Sequence, residues 1–293
     1  MTGLDEISVR LSGAALLAAL TGMGLVGGTL SALFGIGGAI VIVPMLNALL
    51  GIDYSLAVGS SLCFTLGTSA GGWARHRRLG NVVGKIMVIL ALSSMAGAAG
   101  GAELHALLRG LCGERRFQSA MHGIFIMLML AIAWLVWRDA PRQRPGASLL
   151  QRLSLPPRIA LGGELPDVSL PALAVVGVAA GMLSGMLGIG GGVILVPALL
   201  LVVGLGMHQC VGTSLGVILL TSLAGAVIYG AKGQASLWIA MPLLVGSAIG
   251  VQAGAWICQR LGARPLRRYF AILLLAVAGY LLIDLLGKLR AGG

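Results

Sequence analysis

Two uncharged runs constrain this chain more than any other feature of its sequence. Between Arg10 and Asp53, and again between Asp167 and Lys232, there is no Asp, Glu, Lys or Arg. A helix needs about 20 apolar residues to cross a hydrocarbon core of roughly 30 Å. The first run therefore has room for two passages and the second for three. A soluble core cannot absorb so much uncharged chain. Of the 293 residues, 58% are hydrophobic and only 10% are charged, where soluble domains carry about 25% charged residues. The expected fold class is all-α, a polytopic transmembrane helical bundle.

The net charge of +11 raises nucleic acid as a partner, so the placement of the charges matters. Arg75, Arg77, Arg78 and Lys85 form one cluster, and Arg260, Arg264, Arg267 and Arg268 form another. Both lie between apolar runs, where cytoplasmic Lys and Arg set membrane orientation. No aromatic residues alternate with them as a base-stacking platform requires. The expected partner is the lipid bilayer, with no nucleic acid. The N-terminal apolar stretch is too long for a signal peptide and shows no small-residue cleavage site. Cys63, Cys112, Cys210 and Cys258 form no CxxC pair, and three of them fall in or beside apolar segments. They read as buried, inert thiols.

Candidate spans fall at 13–33, 37–50, 56–74, 86–102, 118–137, 171–187, 190–204, 210–229, 237–257 and 268–286. The stretch 138–170 is hydrophilic. It divides the chain into a first transmembrane repeat (1–137), a cytoplasmic linker (138–170) and a second transmembrane repeat (171–293), with five spans in each repeat. The two parts resemble one another. Residues 28–62 align without a gap on residues 181–215, with 15 of 35 positions identical at an offset of 153. The register continues, since Thr68-Ser69 falls on Thr221-Ser222, and Gly97 and Gly101 fall on Gly250 and Gly254. The Gly, Pro and Ser matches carry the weight, because apolar residues match one another readily by composition.

Five spans is an odd number, so the second repeat is expected to run upside down relative to the first, as in many secondary transporters. In that arrangement the inside loops 75–85, 138–170 and 258–268 hold 13 of the 20 Lys and Arg, and the outside segments hold 7. The sign of that bias agrees with cytoplasmic retention of positive charge. If spans two and seven instead dip in and return, each half has four crossings and the repeats become parallel.

The strongest candidate site is the pair Phe34-Gly35-Ile36-Gly37-Gly38 and Leu187-Gly188-Ile189-Gly190-Gly191-Gly192. Each precedes an apolar stretch that reaches only about 21–23 Å as a helix, short of the membrane core. Each stretch contains a proline, Pro44 or Pro197, which removes a backbone hydrogen bond and frees the carbonyl four residues earlier. Paired short segments interrupted by Gly and Pro are a sequence pointer to a transporter's binding site. Successive glycines let the backbone leave helical geometry. The opening amides of the next helix then lack acceptors and carry partial positive charge, and an anion is their natural ligand. The alternative is that these glycines serve only a sharp bend or close helix packing.

Small hydroxyl residues recur nearby. Gly59-Ser60-Ser61 matches Gly212-Thr213-Ser214, and these four hydroxyls are candidate substrate contacts, with Thr68, Ser69, Thr221 and Ser222 as candidate path-lining residues. Hydroxyls can donate to an oxyanion, or equally to carbonyls of their own or a neighbouring helix. Gly97-xxx-Gly101 and Gly246-xxx-Gly250-xxx-Gly254 read as ridges for close helix packing.

All nine carboxylates fall in loops or near span ends, so the embedded acid that cation or proton carriers use is missing. His76, His105, His122 and His208 show no metal-ligand spacing, and no metal or cofactor is expected. Two soluble-enzyme patterns occur. Gly22-Met23-Gly24-Leu25-Val26-Gly27 fits GxGxxG but lies inside a membrane-length run, with no strand before it and no acid about 20 residues on. Gly67-Thr68-Ser69-Ala70-Gly71 fits GxSxG, and an intramembrane serine hydrolase would need His122 or His208 as its base. In so Gly- and Ser-rich a helix the match is cheap, and a non-enzyme is expected.

The doubled pattern GIGGxxxxVPxL followed by Gly-Ser/Thr-Ser-Leu resembles the sulfite exporter TauE/SafE family of bacterial membrane proteins. Gly35, Gly37, Gly38 and Pro44 match the first copy, and Gly188, Gly190, Gly191 and Pro197 the second; Ala39 departs from the third glycine kept as Gly192. The resemblance implies a multi-pass protein of the bacterial inner membrane that moves sulfur-containing anions such as sulfite, sulfonates or sulfoacetate. A negative interior favours export by roughly 2.3 kcal/mol per charge per 100 mV. Export then needs no coupling ion, in keeping with the missing embedded carboxylate. The rival expectation is an importer of a related organosulfonate.

Overall fold

The computed structural model describes residues 13–138, 158–159, 168–188 and 190–291. Helix α1 (Gly13–Phe34) leads through a glycine break into a short α2 (Ala39–Pro44), which continues as a π-helical turn over Met45–Leu49. Then come α3 (Tyr54–Arg78), α4 (Gly84–Cys112) and α5 (Glu114–Arg138). The second half repeats the order with α6 (Leu170–Leu187), α7 (Gly192–Pro197) and its π-helical turn Ala198–Val203, then α8 (Met207–Ala231), α9 (Leu237–Arg260) and α10 (Ala263–Ala291). The spans read from the sequence are thus all present as helix.

Most of the linker 138–170 lies outside the described residues. At its end the chain forms one small antiparallel bridge that the all-helical expectation did not include, β1 (Arg158–Ile159) against β2 (Val168–Ser169).

Among the described residues, seven helices are long and apolar enough to cross a membrane. Helix α3 is not one of them, although it spans 25 residues. Its serines, threonines and terminal arginines lower its hydropathy, and its polar faces are buried inside the bundle rather than set toward lipid. The outward faces are apolar instead. Met127 is 73% exposed, Ile249 68% and Ile283 74%, a surface that suits hydrocarbon and not water.

Packing fixes the directions of the helices. Gly246, Gly250 and Gly254 of α9 lie against the main chain of Thr21, Leu25 and Thr29 of α1, so these two helices run parallel. Gly97 and Gly101 of α4 lie in the same way on Val178 and Met182 of α6. The two sets of contacts stand 153 residues apart at every position they share, as Leu25 to Val178 and Gly97 to Gly250. Both are the small-residue ridges expected from the sequence, where missing side chains let backbones touch.

Helices α3 and α8 cross antiparallel at the centre, with Leu62 packed on Gly225 and Leu215 on Gly72. Helix α1 runs parallel to α3: Gly27 meets Phe64 near one end, and His76 Nε2 lies 3.1 Å from the Ala32 carbonyl near the other. The chain between α1 and α3 must therefore travel back. That return is made by the short α2 and its π-helical turn, an 11-residue path of about 16 Å at helical rise.

Candidate functional site

Each glycine break bends because its residues adopt backbone angles that only glycine takes at low cost. Gly35, Gly37 and Gly38 have φ of 72°, 78° and 78°, and Gly188, Gly190 and Gly191 have 73°, 70° and 77°. A side chain in that left-handed region costs about 1–2 kcal/mol per residue. Ile189, inside the second break, lies outside the described residues. The amides of Gly35 and Gly188 close their helices onto Ser31 O and Ser184 O, each at 2.8 Å. Beyond Gly35, the amides of Gly37, Gly38 and Ala39 make no hydrogen bond among the described residues, while Gly190 and Gly191 form a turn at the start of α7. All of these residues are buried.

The two breaks meet at the crossing of α3 and α8. A β-carbon placed on Gly37 would stand 2.7 Å from Thr65 Cγ2 and 3.0 Å from Ile218 Cγ2; on Gly190 it would stand 2.9 and 3.0 Å from the same two atoms. Both glycines thus face one Thr65–Ile218 pair. The hydroxyls of Ser69 and Ser222 lie 3.7 and 3.6 Å from those two positions. Thr65 Oγ1, Ser69 Oγ and Ser222 Oγ are fully buried and have no hydrogen-bond partner among the described residues, and the same holds for Ser31 Oγ and Ser184 Oγ. Buried hydroxyls are ordinarily satisfied. Free hydroxyls gathered beside free main-chain N–H groups make a neutral, donor-rich centre with no acid or base in it. Helices α2, α7 and α8 contain no Asp, Glu, Lys or Arg, and those of α3 are confined to its last turn.

The other hydroxyls singled out by sequence are placed differently. Ser61 Oγ donates to the Gly188 carbonyl at 3.1 Å, and Ser214 Oγ to the Gly35 carbonyl at 2.8 Å, so each half's α3 or α8 hydroxyl holds the opposite half's break. Ser60 Oγ accepts from the Ser236 amide and Thr213 Oγ1 from the Val83 amide, both at 3.0 Å, which steadies the starts of α9 and α4. Thr68 Oγ1 donates to Gly37 O at 3.1 Å. Thr221 Oγ1 is bonded to Val217 O and to Ser94 Oγ. Pro44 and Pro197 each end the α-helical segment where the π-helical turn begins.

Thr65, Ser31 and Ser184 escaped the sequence reading. Ser31 and Ser184 match each other at the 153-residue offset and were therefore legible. Thr65 was not, because its counterpart is Ile218. A second polar cluster was also missed. Asp53 Oδ1 caps α3 by accepting from the Ser55 and Leu56 amides, and Asp53 Oδ2 pairs with Arg109 at 3.2 Å. Arg109 also donates to Ser55 Oγ at 2.6 Å, which lies 2.9 Å from His105 Nε2. This Ser–His contact is sealed by Arg109 and by the Met186 carbonyl on His105 Nδ1. Ser69, the residue of the GxSxG match, carries no histidine bond at all. Cys210 and Cys258 are buried as expected, whereas Cys63 is half-buried and Cys112 is exposed at the end of α4.

A bundle of membrane-length helices with two interrupted helices facing each other at its centre has the build of a membrane carrier. The chain belongs to the sulfite exporter TauE/SafE family, whose model matches residues 20–281. It is therefore a multi-pass membrane protein of a transporter family and not an enzyme. Among its relatives, the probable membrane transporter protein YjnA of Bacillus subtilis is 29% identical over 263 residues, covering 89% of this chain and 97% of the relative. YunE of the same organism, also named a probable membrane transporter protein, is 27% identical over 274 residues, covering 89% and 96%. The probable membrane transporter protein MJ0441 of Methanocaldococcus jannaschii is 26% identical over 276 residues, covering 86% and 90%. No solved structure matches the chain.

Proposed function

We propose that this protein exports small sulfur-containing anions of the sulfite, sulfonate or sulfoacetate type by alternating access, with the anion held between its two glycine breaks. The observation that carries the reading is the set of buried, unpartnered donors at the α3–α8 crossing. Among the described residues, the main-chain amides of Gly37, Gly38 and Ala39 and the hydroxyls of Thr65, Ser69 and Ser222 have no partner, with no fixed charge among them. A negative guest satisfies all of them at once. A cation or a neutral apolar solute satisfies none.

The transport path follows from the repeat. Several partners exchange at an offset of 153: Ser61 holds Gly188 as Ser214 holds Gly35, and Ser236 leans on Ser60 as Val83 leans on Thr213. Helix α1 is parallel to α9, α4 to α6, and α3 antiparallel to α8. These directions favour inverted five-span repeats, in which α2 and α7 carry the chain across, over parallel four-crossing repeats. Arg75, Arg77 and Arg78 at the end of α3, Arg260 at the end of α9 and Lys85 at the start of α4 then share one face. The Asp53–Arg109 and Glu103–Lys232 pairs share the other. The basic face is cytoplasmic by the positive-inside tendency. Two inverted halves that close around one site can open it alternately to either side.

Direction follows from charge. No embedded acid couples the site to a cation gradient, and outward movement of an anion runs down the membrane potential. In liposomes, an imposed potential should drive saturable flux of labelled sulfite or sulfoacetate, and the double substitution Gly37→Leu with Gly190→Leu should abolish it. Potential-independent flux, or full activity in the double variant, would defeat the proposal.

A further inference from the structure

The centre is built from two matched halves that differ at Ala39 against Gly192 and, at the helix crossing, at Thr65 against Ile218. Thr65 and Ile218 occupy equivalent places, 153 residues apart, and each touches both Gly37 and Gly190 through a methyl. Thr65 adds a hydroxyl that is fully buried and, among the described residues, unpartnered. Ile218 adds only hydrocarbon, and its Cδ1 reaches on toward Gly192. Around them the donors are balanced: Ser69 beside Gly37 is answered by Ser222 beside Gly190, and Ser31 by Ser184. Both residues turn a methyl to the two glycines, and the chemical difference between these two walls is the Thr65 hydroxyl.

A compact inorganic oxyanion carries acceptors over most of its surface. Seated here, it would leave some of them against the Ile218 side chain, stripped of water and without a donor, which is costly. An anion with an oxyanion head and a short apolar end meets no such penalty. We infer that Thr65 and Ile218 orient and select the substrate, with the head turned to Thr65 and an apolar end lying on Ile218, so that the site prefers a short alkanesulfonate to a compact inorganic anion. This rests on the anion-carrier reading and narrows its substrate class.

The test compares ethanesulfonate with sulfite in potential-driven liposome flux, as the ratio of their half-saturating concentrations. One apolar contact of this size discriminates by about tenfold or more, and the parent protein should favour ethanesulfonate by that factor. Ile218→Thr supplies the missing hydroxyl and should bring the ratio near unity. Thr65→Val, which keeps the shape and removes the hydroxyl, should weaken both anions together. Monodispersity in detergent checks folding. Should Ile218→Thr misfold, Ile218→Val carries the test, because a trimmed apolar wall must still lower the preference for ethanesulfonate. Flux of both anions with a ratio that none of these substitutions moves overturns this inference and leaves the carrier reading standing. Absence of potential-driven flux for every anion overturns both.

Discussion

Replacing Ser69 and Ser222 together with alanine should make this protein more stable and worse at transport, and the opposed signs are what make the experiment decisive. Both hydroxyls are fully buried and neither has a hydrogen-bond partner among the described residues. A buried polar group left unmet costs about 1–3 kcal/mol, so each deletion should relieve up to that amount, less the packing lost with the oxygen. In a chain of this size each kcal/mol moves the melting temperature by about 2–4 °C, here upward. With the anion bound, the same hydroxyls donate to a charged acceptor, an interaction worth about 1.5–3 kcal/mol. Losing one should therefore raise the half-saturating concentration by about 10- to 100-fold, since 1.4 kcal/mol is a factor of ten. Ser61→Ala and Ser214→Ala are the controls. Their hydroxyls are already committed to the Gly188 and Gly35 carbonyls, so both should lower the melting temperature. Thermal melting in detergent, paired with concentration-dependent flux in liposomes, reads both quantities. A Ser69/Ser222 double variant that melts below the parent while keeping its flux would refute the reasoning.

Three further outcomes follow from other parts of the structure. Gly101→Leu places a side chain on the main chain of Met182 in α6 and should cost about 1–3 kcal/mol or more, seen as loss of monodisperse protein during purification. Arg109→Ala removes donors from Asp53 and Ser55; because the ion pair is about a third exposed, the melting temperature should fall by no more than a few degrees, consistent with about 1 kcal/mol. In a background freed of the four native cysteines, Lys232→Cys should react with an impermeant maleimide on intact cells, whereas Arg78→Cys should react only after lysis. Labelling of both positions from the same side would remove the inverted arrangement.

Much of this molecule is legible in its sequence because a membrane leaves a chain few choices. With no water to satisfy the backbone, long apolar runs must be helices, so the uncharged stretches after Arg10 and after Asp167 fix helical passages directly. Breaks at Gly35–Gly38 and Gly188–Gly192 were legible because successive glycines followed within two turns by a proline serve few other purposes inside lipid. The glycine ridges of α4 and α9 were legible in the same way, although which helix each ridge meets was not. Polar assignments were harder. A membrane serine can bond its own helix, a neighbour or a ligand, and local sequence does not distinguish these. Ser60, Ser61, Thr213 and Ser214 look like ligand contacts beside the glycine motifs, yet their partners are main-chain groups brought from more than 100 residues away.

The sequence alone thus determined the membrane setting, the helical class, the doubled pattern and the two places where helices break, since each depends on local composition and short-range backbone rules. Tertiary structure decided which hydroxyls are spoken for and which stand free. It also set Thr65 against Ile218 at a crossing of helices far apart in the chain. Those outcomes depend on which surfaces face each other once ten helical segments have packed, and no single stretch of residues contains that information.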